Sequence, residues 1–281
     1  MSVSPLKVVI VMPAFNVGRT LEKTCLSLPA SFRRHVLLGD NQSTDDTVVT
    51  AKRLSIDVIR HEQNYGYGGN LKRLFRRAIA QGADIVVELH PDFQYEPGLV
   101  DVLVEYIQRG YFDVMQGNRI RSRDEALAGG MQWYRYLGNR LLTLFENVWF
   151  GLSLGEWHSG MKAFRWEVLE QLPLETYPDT HAFASHLLMD CVMKGFRVGE
   201  IPIPVRYDGE SSSVSPKGLF AYTARTLVAA LQRPPWKKQR FGSAKLPVLS
   251  PRLQDPCFAD DPSDRRVGTF PSAQETTDRP T

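Results

Sequence analysis

The side chains best equipped for chemistry fall in Glu88-Leu89-His90-Pro91-Asp92-Phe93-Gln94-Tyr95, directly after the apolar run Ile85-Val86-Val87. A strand that ends in the carboxylate of Asp92, flanked by His90 and Gln94, can hold a divalent ion at the carboxyl edge of a parallel sheet, where α/β proteins bind nucleotides. Taken alone, such a run is a weak signal. Two further segments precede it at strand spacing: Val8 to Asn16, which closes on Pro13-Ala14-Phe15-Asn16, and Val36 to Thr47, which closes on Asp40 and Asn41. Later, Gly155-Glu156-Trp157-His158-Ser159-Gly160-Met161-Lys162 gathers a carboxylate, a hydroxyl and an amine. Arg119 and Arg135 carry guanidinium forks of the kind that grip a phosphate with two hydrogen bonds.

The elements that must position these groups alternate between apolar strands and amphipathic helices, the pattern of a mainly parallel sheet covered on both faces. Strands are expected over 8–12, 35–38, 57–60, 113–119 and 201–207. Helices are expected over 20–28, burying Leu21, Leu26 and Leu28, and then over 44–54, 71–81, 97–109, 133–150, 167–172 and 182–194. Asn64-Tyr65-Gly66-Tyr67-Gly68-Gly69-Asn70 reads as a glycine-rich turn whose backbone N–H groups could approach an anion at a helix start, although turn geometry alone also calls for glycine. The Lys72, Arg73, Arg76 and Arg77 that follow are expected on a solvated helix face.

With 281 residues, 43% of them apolar, the chain can build one large α/β domain over residues 1–233. Residues 234–281 contain eight of the eighteen prolines and little apolar periodicity, so they are expected to form a tail without fixed structure. The net charge of +3 comes without a basic stripe interleaved with aromatics, which argues against nucleic acid as a partner. Three cysteines, Cys25, Cys191 and Cys257, have no metal or redox spacing and favour a reducing compartment. The run after Lys7 does not read as a signal peptide, and the apolar stretch 219–231 contains Arg225 and falls short of the roughly 20 residues a membrane span needs. A cytoplasmic protein is expected, with peripheral contact at the inner membrane surface.

Together these segments resemble the family 2 glycosyltransferases of the GT-A fold, whose marks are a strand ending in Pro-x-Tyr-Asn, an acidic turn after the second strand, and an Asp-x-Asp metal motif. Gly155 to Phe164 and Gly195 to Tyr207 are similar to acceptor-side motifs of the branch that makes dolichyl- or polyprenyl-phosphate sugars. The resemblance covers roughly residues 6 to 230. It implies a nucleotide-sugar site of Pro13, Phe15, Asn16, Asp40, Asn41, Gly68, Asn70, His90 and Gln94, with Asp40 meeting the base. It implies a Mg²⁺ or Mn²⁺ ion on Asp92 and His90, and acceptor contacts from Arg119, Arg135, Ser159 and Lys162. Glu156, with Asp92, is the expected catalytic carboxylate, and it serves as base if the acceptor is a hydroxyl.

Departures from the pattern are His90 for the first Asp of the metal triplet, Phe15 for Tyr, Asn41 for a second Asp, and Ala184 and His186 where carboxylates are common. The activity implied is inverting transfer from a nucleotide sugar to a polyprenyl phosphate in cell-envelope biosynthesis. Transfer to a soluble saccharide or small-molecule hydroxyl is the alternative within the class. A degenerate nucleotide-sugar binding protein and a nucleotidyltransferase are the readings outside it.

Overall fold

Strand β1 (Val8–Ala14) is apolar at nearly every position because both of its faces are covered. Val9 and Val11 enter the core on one face, with Phe75, Phe164 and Phe183, while Val8, Ile10 and Met12 enter the core on the other, with Leu21, Leu103 and Tyr95. The computed structural model describes residues 6–204, 206 and 216–235.

The strands β2 (Val36–Asp40), β3 (Asp57–Arg60), β4 (Ile85–Leu89), β5 (Val114–Asn118), β6 (Met161–Arg165) and β7 (Val198–Pro202) join β1 in one sheet of order β3-β2-β1-β4-β6-β5-β7. All neighbours are parallel except β6, which runs antiparallel between β4 and β5 and sets Lys162 opposite Glu88. Strand β6 is not among the strands expected from periodicity, since its residues fall within the segment similar to the acceptor-side motif. Strand β7 lies earlier than expected, paired from Val114↔Val198, and residues 205 and 207–215 fall outside the described residues.

The helices are α1 (Gly18–Ser27), α2 (Thr47–Arg53), α3 (Gly66–Ala80), α4 (Val100–Gln108), α5 (Arg123–Ala128), α6 (Trp133–Phe150), α7 (Trp166–Gln171), α8 (Ala182–Met193) and α9 (Pro216–Leu231). In α1 the inward face is Leu21, Thr24 and Cys25, so Leu26, expected inside, faces out. Helix α3 starts at Gly66, not Leu71, making the glycine-rich segment its first turn. Cys25 and Cys191 are buried free thiols, in line with small apolar side chains in the core. No helix among the described residues is long and apolar enough to cross a membrane. Apart from 234 and 235, the tail lies outside the described residues.

Candidate active site

Beyond β4 the chain turns sharply at Phe93, which sits in the left-handed region at φ 59°. Such a conformation costs a non-glycine residue about 1–3 kcal/mol and persists only where surroundings hold it. Here the Phe93 ring lies between Lys23 Nζ, 4.1 Å from its centroid, and the Arg206 guanidinium at 4.9 Å. The turn presents His90, Asp92 and Gln94 to one cavity of about 580 Å³. Arg119 follows β5, Arg135 and Asn139 come from α6, and Ser159 and Gly160 precede β6; all of them line the same cavity, which is closed by Thr180, His181 and residues of α9.

His90 is held by a chain of hydrogen bonds that begins inside the sheet. Glu88 is fully buried in β4, and Tyr67 Oη donates to its Oε1. With its one proton so used, Tyr67 Oη must accept from His90 Nε2, 2.9 Å away, which places an imidazole proton on Nε2. Burial raises the pKa of Glu88, but His90, Lys162 and Tyr67 together lower it further, so the carboxylate is ionised. The ring lies flat over Gly160, where an added Cβ would stand 2.4 Å from His90 Cε1. Any larger residue there would displace the imidazole.

Glu156 is placed differently from what its motif suggested. It is completely buried and does not line the cavity. Its oxygens accept from the Arg119 backbone N–H at 2.9 Å, from Arg119 Nε at 2.8 and 3.1 Å, from Arg119 Nη2, and from Asn139 Nδ2 at 3.3 Å. Burial works against its ionised form, but the Arg119 guanidinium outweighs burial and sets the pKa below the ordinary carboxylate value. A carboxylate so committed has no lone pair aimed at a substrate, and what it fixes is the direction of Arg119. Glu200 supports the arrangement from β7, accepting from the Gly155 N–H at 2.7 Å.

Lys162, expected on the acceptor, is also fully buried: its Nζ donates to the Ser159 carbonyl and its charge faces Glu88 across the β4–β6 pair. Burial lowers its pKa, and Glu88 raises it in part. Ser159 does line the cavity, although its Oγ accepts from the Met161 N–H at 3.2 Å.

The residues expected around the nucleotide separate into two groups. Pro13, Phe15, Asn16 and Asp40 meet at the ends of β1 and β2. Asn16 N–H donates to Ser43 Oγ at 2.9 Å, and Thr44 N–H donates to Asn16 Oδ1 at 2.8 Å. Phe15 is exposed, while Asp40 is fully buried with Oδ1 accepting from the Ser43 N–H at 3.1 Å and Oδ2 lacking a hydrogen-bond partner, with the Arg60 Nε 3.9 Å away as its ion-pair contact. A buried oxygen left so costs about 1–3 kcal/mol, and an N–H donor from a base would satisfy it.

Asn41, Gly68 and Asn70 are spent on packing instead. Asn41 spans the β2–α3 gap, donating to Asn64 Oδ1 at 2.8 Å and accepting from the Tyr65 N–H at 2.8 Å. Asn70 donates to the Gly39 carbonyl at 2.7 Å and contacts His61 Nε2 at 2.9 Å. Gly68 N–H donates to the Asp179 carbonyl at 2.8 Å, and a Cβ on Gly68 would lie 2.4 Å from the Pro178 carbonyl oxygen. Gly66 and Gly68 therefore admit the 178–179 backbone, and their N–H groups are bonded within the protein, to Asn64 Oδ1 and the Asp179 carbonyl.

Several contributors escaped the sequence reading. Lys72, expected on a solvated face, is buried and ties α3 to the cavity wall through the Tyr177 carbonyl at 2.6 Å and Asp179 Oδ1 at 2.7 Å. Tyr67 and His181 stack with ring centroids 4.9 Å apart. His158 Nδ1 lies 2.7 Å from Tyr222 Oη, and its Nε2 lies 3.0 Å from the buried Glu146 Oε2 as an ion-pair contact without hydrogen-bond geometry. None of these pairs shares a local motif; they are brought together across α3, α6, β6 and α9.

Among the described residues no three His, Cys, Asp or Glu side chains converge as a metal cage. Asp92 and His90 provide one carboxylate and one imidazole at the cavity. That is a donor set suited to an ion completing its shell with phosphate oxygens and water, as Mg²⁺ does in nucleotide sites.

A seven-stranded, mostly parallel sheet with acidic and guanidinium groups gathered in a cavity beyond β4 defines a GT-A sugar-nucleotide enzyme fold. Residues 9–172 match the family described as Glycosyl transferase family 2, and the chain belongs to that family. It is 23% identical over 215 residues to the UDP-N-acetylglucosamine–dolichyl-phosphate N-acetylglucosaminyltransferase of Methanococcus voltae, covering 70% of this chain and 85% of that protein. It is 23% identical over 209 residues to an undecaprenyl-phosphate mannosyltransferase of Micrococcus luteus, covering 70% and 83%. The crystal structure of glucosyl-3-phosphoglycerate synthase from Mycobacterium tuberculosis with Mn²⁺, UDP-glucose and phosphoglyceric acid superposes with a TM-score of 0.61 at 21% identity, covering 81% of this chain and 79% of that one. At that identity the likeness is one of fold.

Proposed function

We propose that this glycosyltransferase moves a sugar from a nucleoside-diphosphate sugar to a polyprenyl phosphate, with inversion at the anomeric carbon. The observation that carries the reading is that one cavity is lined both by His90, Asp92 and Gln94 and by Arg119 and Arg135. Diphosphate chemistry and phosphate-binding guanidinium groups thus share one space. The base of the donor is assigned to the Asp40, Phe15 and Asn16 corner, where Asp40 Oδ2 accepts no hydrogen bond and has only the Arg60 Nε at 3.9 Å as a counter-charge.

An ionised acceptor phosphate attacks the anomeric carbon from the face opposite the diphosphate. The new C–O bond to the phosphate forms as the bond to the nucleoside diphosphate breaks, and no covalent enzyme intermediate is needed. The nucleophile carries its own charge, so no strong base is required. This fits a Glu156 committed to Arg119 and disfavours a hydroxyl acceptor, which would need a cavity carboxylate to take its proton while Asp92, the carboxylate there, is assigned to the metal ion. Asp92 and His90 would hold a Mg²⁺ or Mn²⁺ ion, which when bound neutralises charge on the leaving diphosphate. Gln94 contributes amide hydrogen bonds beside it, and Arg119 and Arg135 orient the acceptor.

The test is turnover of UDP-, GDP- and dTDP-sugars by the full chain with Mn²⁺ or Mg²⁺, each with and without a short polyprenyl phosphate. Metal-dependent formation of a lipid-phosphate sugar, reduced about 10²-fold or more in a folded Asp92→Ala protein, is expected. Absence of turnover with every donor would overturn the reading in favour of a nucleotide-sugar binding protein. Turnover only onto soluble hydroxyls would move the acceptor class.

A further inference from the structure

Helix α6 serves two environments. Arg135, Asn139 and Leu142 line the cavity, whereas Trp133, Leu137, Leu141, Leu144 and Val148 form a stripe on the outside, each between 48% and 69% exposed. The spacing of four, four, three and four residues keeps the stripe on one side of the helix over roughly 22 Å at 1.5 Å per residue, with no charged side chain within it. Scattered exposed leucines are ordinary, but a continuous apolar band of this kind marks an interaction surface. Helix α9, which also closes the cavity, packs against α6 and adds exposed Val228 and Leu231, with the exposed Arg225 beside them in the sequence.

Charge selects the occupant. From Ser211 to Gln254 the sequence contains no Asp or Glu, while Trp236, Lys237, Lys238, Arg240 and Phe241 follow α9 within ten residues. Two copies meeting through this region would bring like charges together. A bilayer with anionic headgroups offers both an apolar phase for the stripe and counter-charge for the basic run.

We infer that the outer face of α6, with the end of α9, is a docking surface for an anionic lipid bilayer, on which the enzyme lies with its acceptor cavity one helix width away. The choice of lipid as occupant draws on the polyprenyl-phosphate reading, since such an acceptor is presented from a membrane. The binding itself does not depend on turnover.

The experiment is co-sedimentation of the full chain with vesicles of phosphatidylcholine, with or without phosphatidylglycerol, for wild type and Leu141→Glu/Leu144→Glu. Both leucines are exposed, so the variant should keep the wild-type melting temperature and its turnover of a short, water-soluble polyprenyl phosphate. The expected result is binding to the anionic vesicles that added salt weakens, reduced about tenfold for each leucine replaced.

Wild type that ignores both vesicle types, or a double variant that binds as wild type does, would overturn the inference. So would a wild-type dimer in light scattering that the double variant splits, since the stripe would then belong to a second copy. Vesicle binding that persists in the absence of any glycosyl transfer would sink the proposed reaction and leave the docking surface standing.

Discussion

Replacing Glu156 with glutamine is expected to damage the fold before it damages any proton transfer. The two carboxylate oxygens accept from the backbone N–H and guanidinium of Arg119 and from Asn139, and Glu156 is completely buried while the Arg119 side chain is 13% exposed. Glutamine keeps one of those oxygens and turns an NH₂ group toward donors, leaving a guanidinium buried without its counter-charge. Removing one partner of such a pair costs about 3–5 kcal/mol. For a domain of this size that corresponds to a melting temperature lower by roughly 6–20 °C.

Urea or thermal denaturation of Glu156→Gln measures the loss. The paired replacement Arg119→Met/Glu156→Leu should recover most of it, because an apolar pair of similar volume removes both charges from the buried site. Activity should stay lost in the paired variant, since Arg119 is gone from the cavity. A Glu156→Gln protein as stable as wild type but unable to turn over would refute the positioning argument and return Glu156 to the role of base.

Three further outcomes follow from the same geometry. Tyr67→Phe strips Glu88 of its hydroxyl donor and frees His90 Nε2 from its hydrogen bond. It should cost about 1–3 kcal/mol in urea denaturation and raise the metal concentration needed for half-maximal turnover, and an unchanged metal requirement would remove the link between Tyr67 and His90. Lys72→Met releases the 177–179 segment that leads into Thr180 and His181 of the cavity lining, and should raise the donor KM more than it lowers kcat; equal effects on both would argue against a role limited to the lining.

Burial, helped by His90, holds His181 below its ordinary pKa of 6.5, so the folded state takes up this proton less readily than the unfolded chain. Its stabilising contribution is therefore complete above pH 6.5 and declines as pH falls below that value. His181→Phe, which keeps the stacking on Tyr67, should flatten the pH dependence of the urea midpoint there.

Much of this protein was legible in one dimension. The strands β1, β2 and β4 are apolar runs closing on Pro13, Asp40 and Asp92, and a parallel sheet puts the ends of such strands at one edge, so the position of a nucleotide site followed from spacing. Helix α6 was readable to its ends, because an uninterrupted run rich in leucine and aromatic residues has one regular solution at that length. Glycine at 66, 68 and 69 was legible as special, but its purpose was not. At 66 and 68 the demand comes from the backbone of Pro178 and Asp179, more than a hundred positions away, and at 69 from Tyr65 Cβ and the Asp179 side chain.

What the sequence determined, then, was the class of fold, the family, and which residue types stand at the sheet edge, since these depend on local periodicity and on the ends of single strands. What the tertiary structure decided was which of those groups face the cavity. Glu156 and Lys162 carry the chemistry expected of a site. Long-range pairing with Arg119 and an antiparallel β6 facing Glu88 consume their charges within the protein. Lys72, which looked like a solvated charge, is drawn inward by a carbonyl and a carboxylate from the far end of the domain. A side chain's chemistry is local, but the direction it faces and the partner that satisfies it are set by contacts between segments distant in sequence, and those exist only once the sheet has assembled.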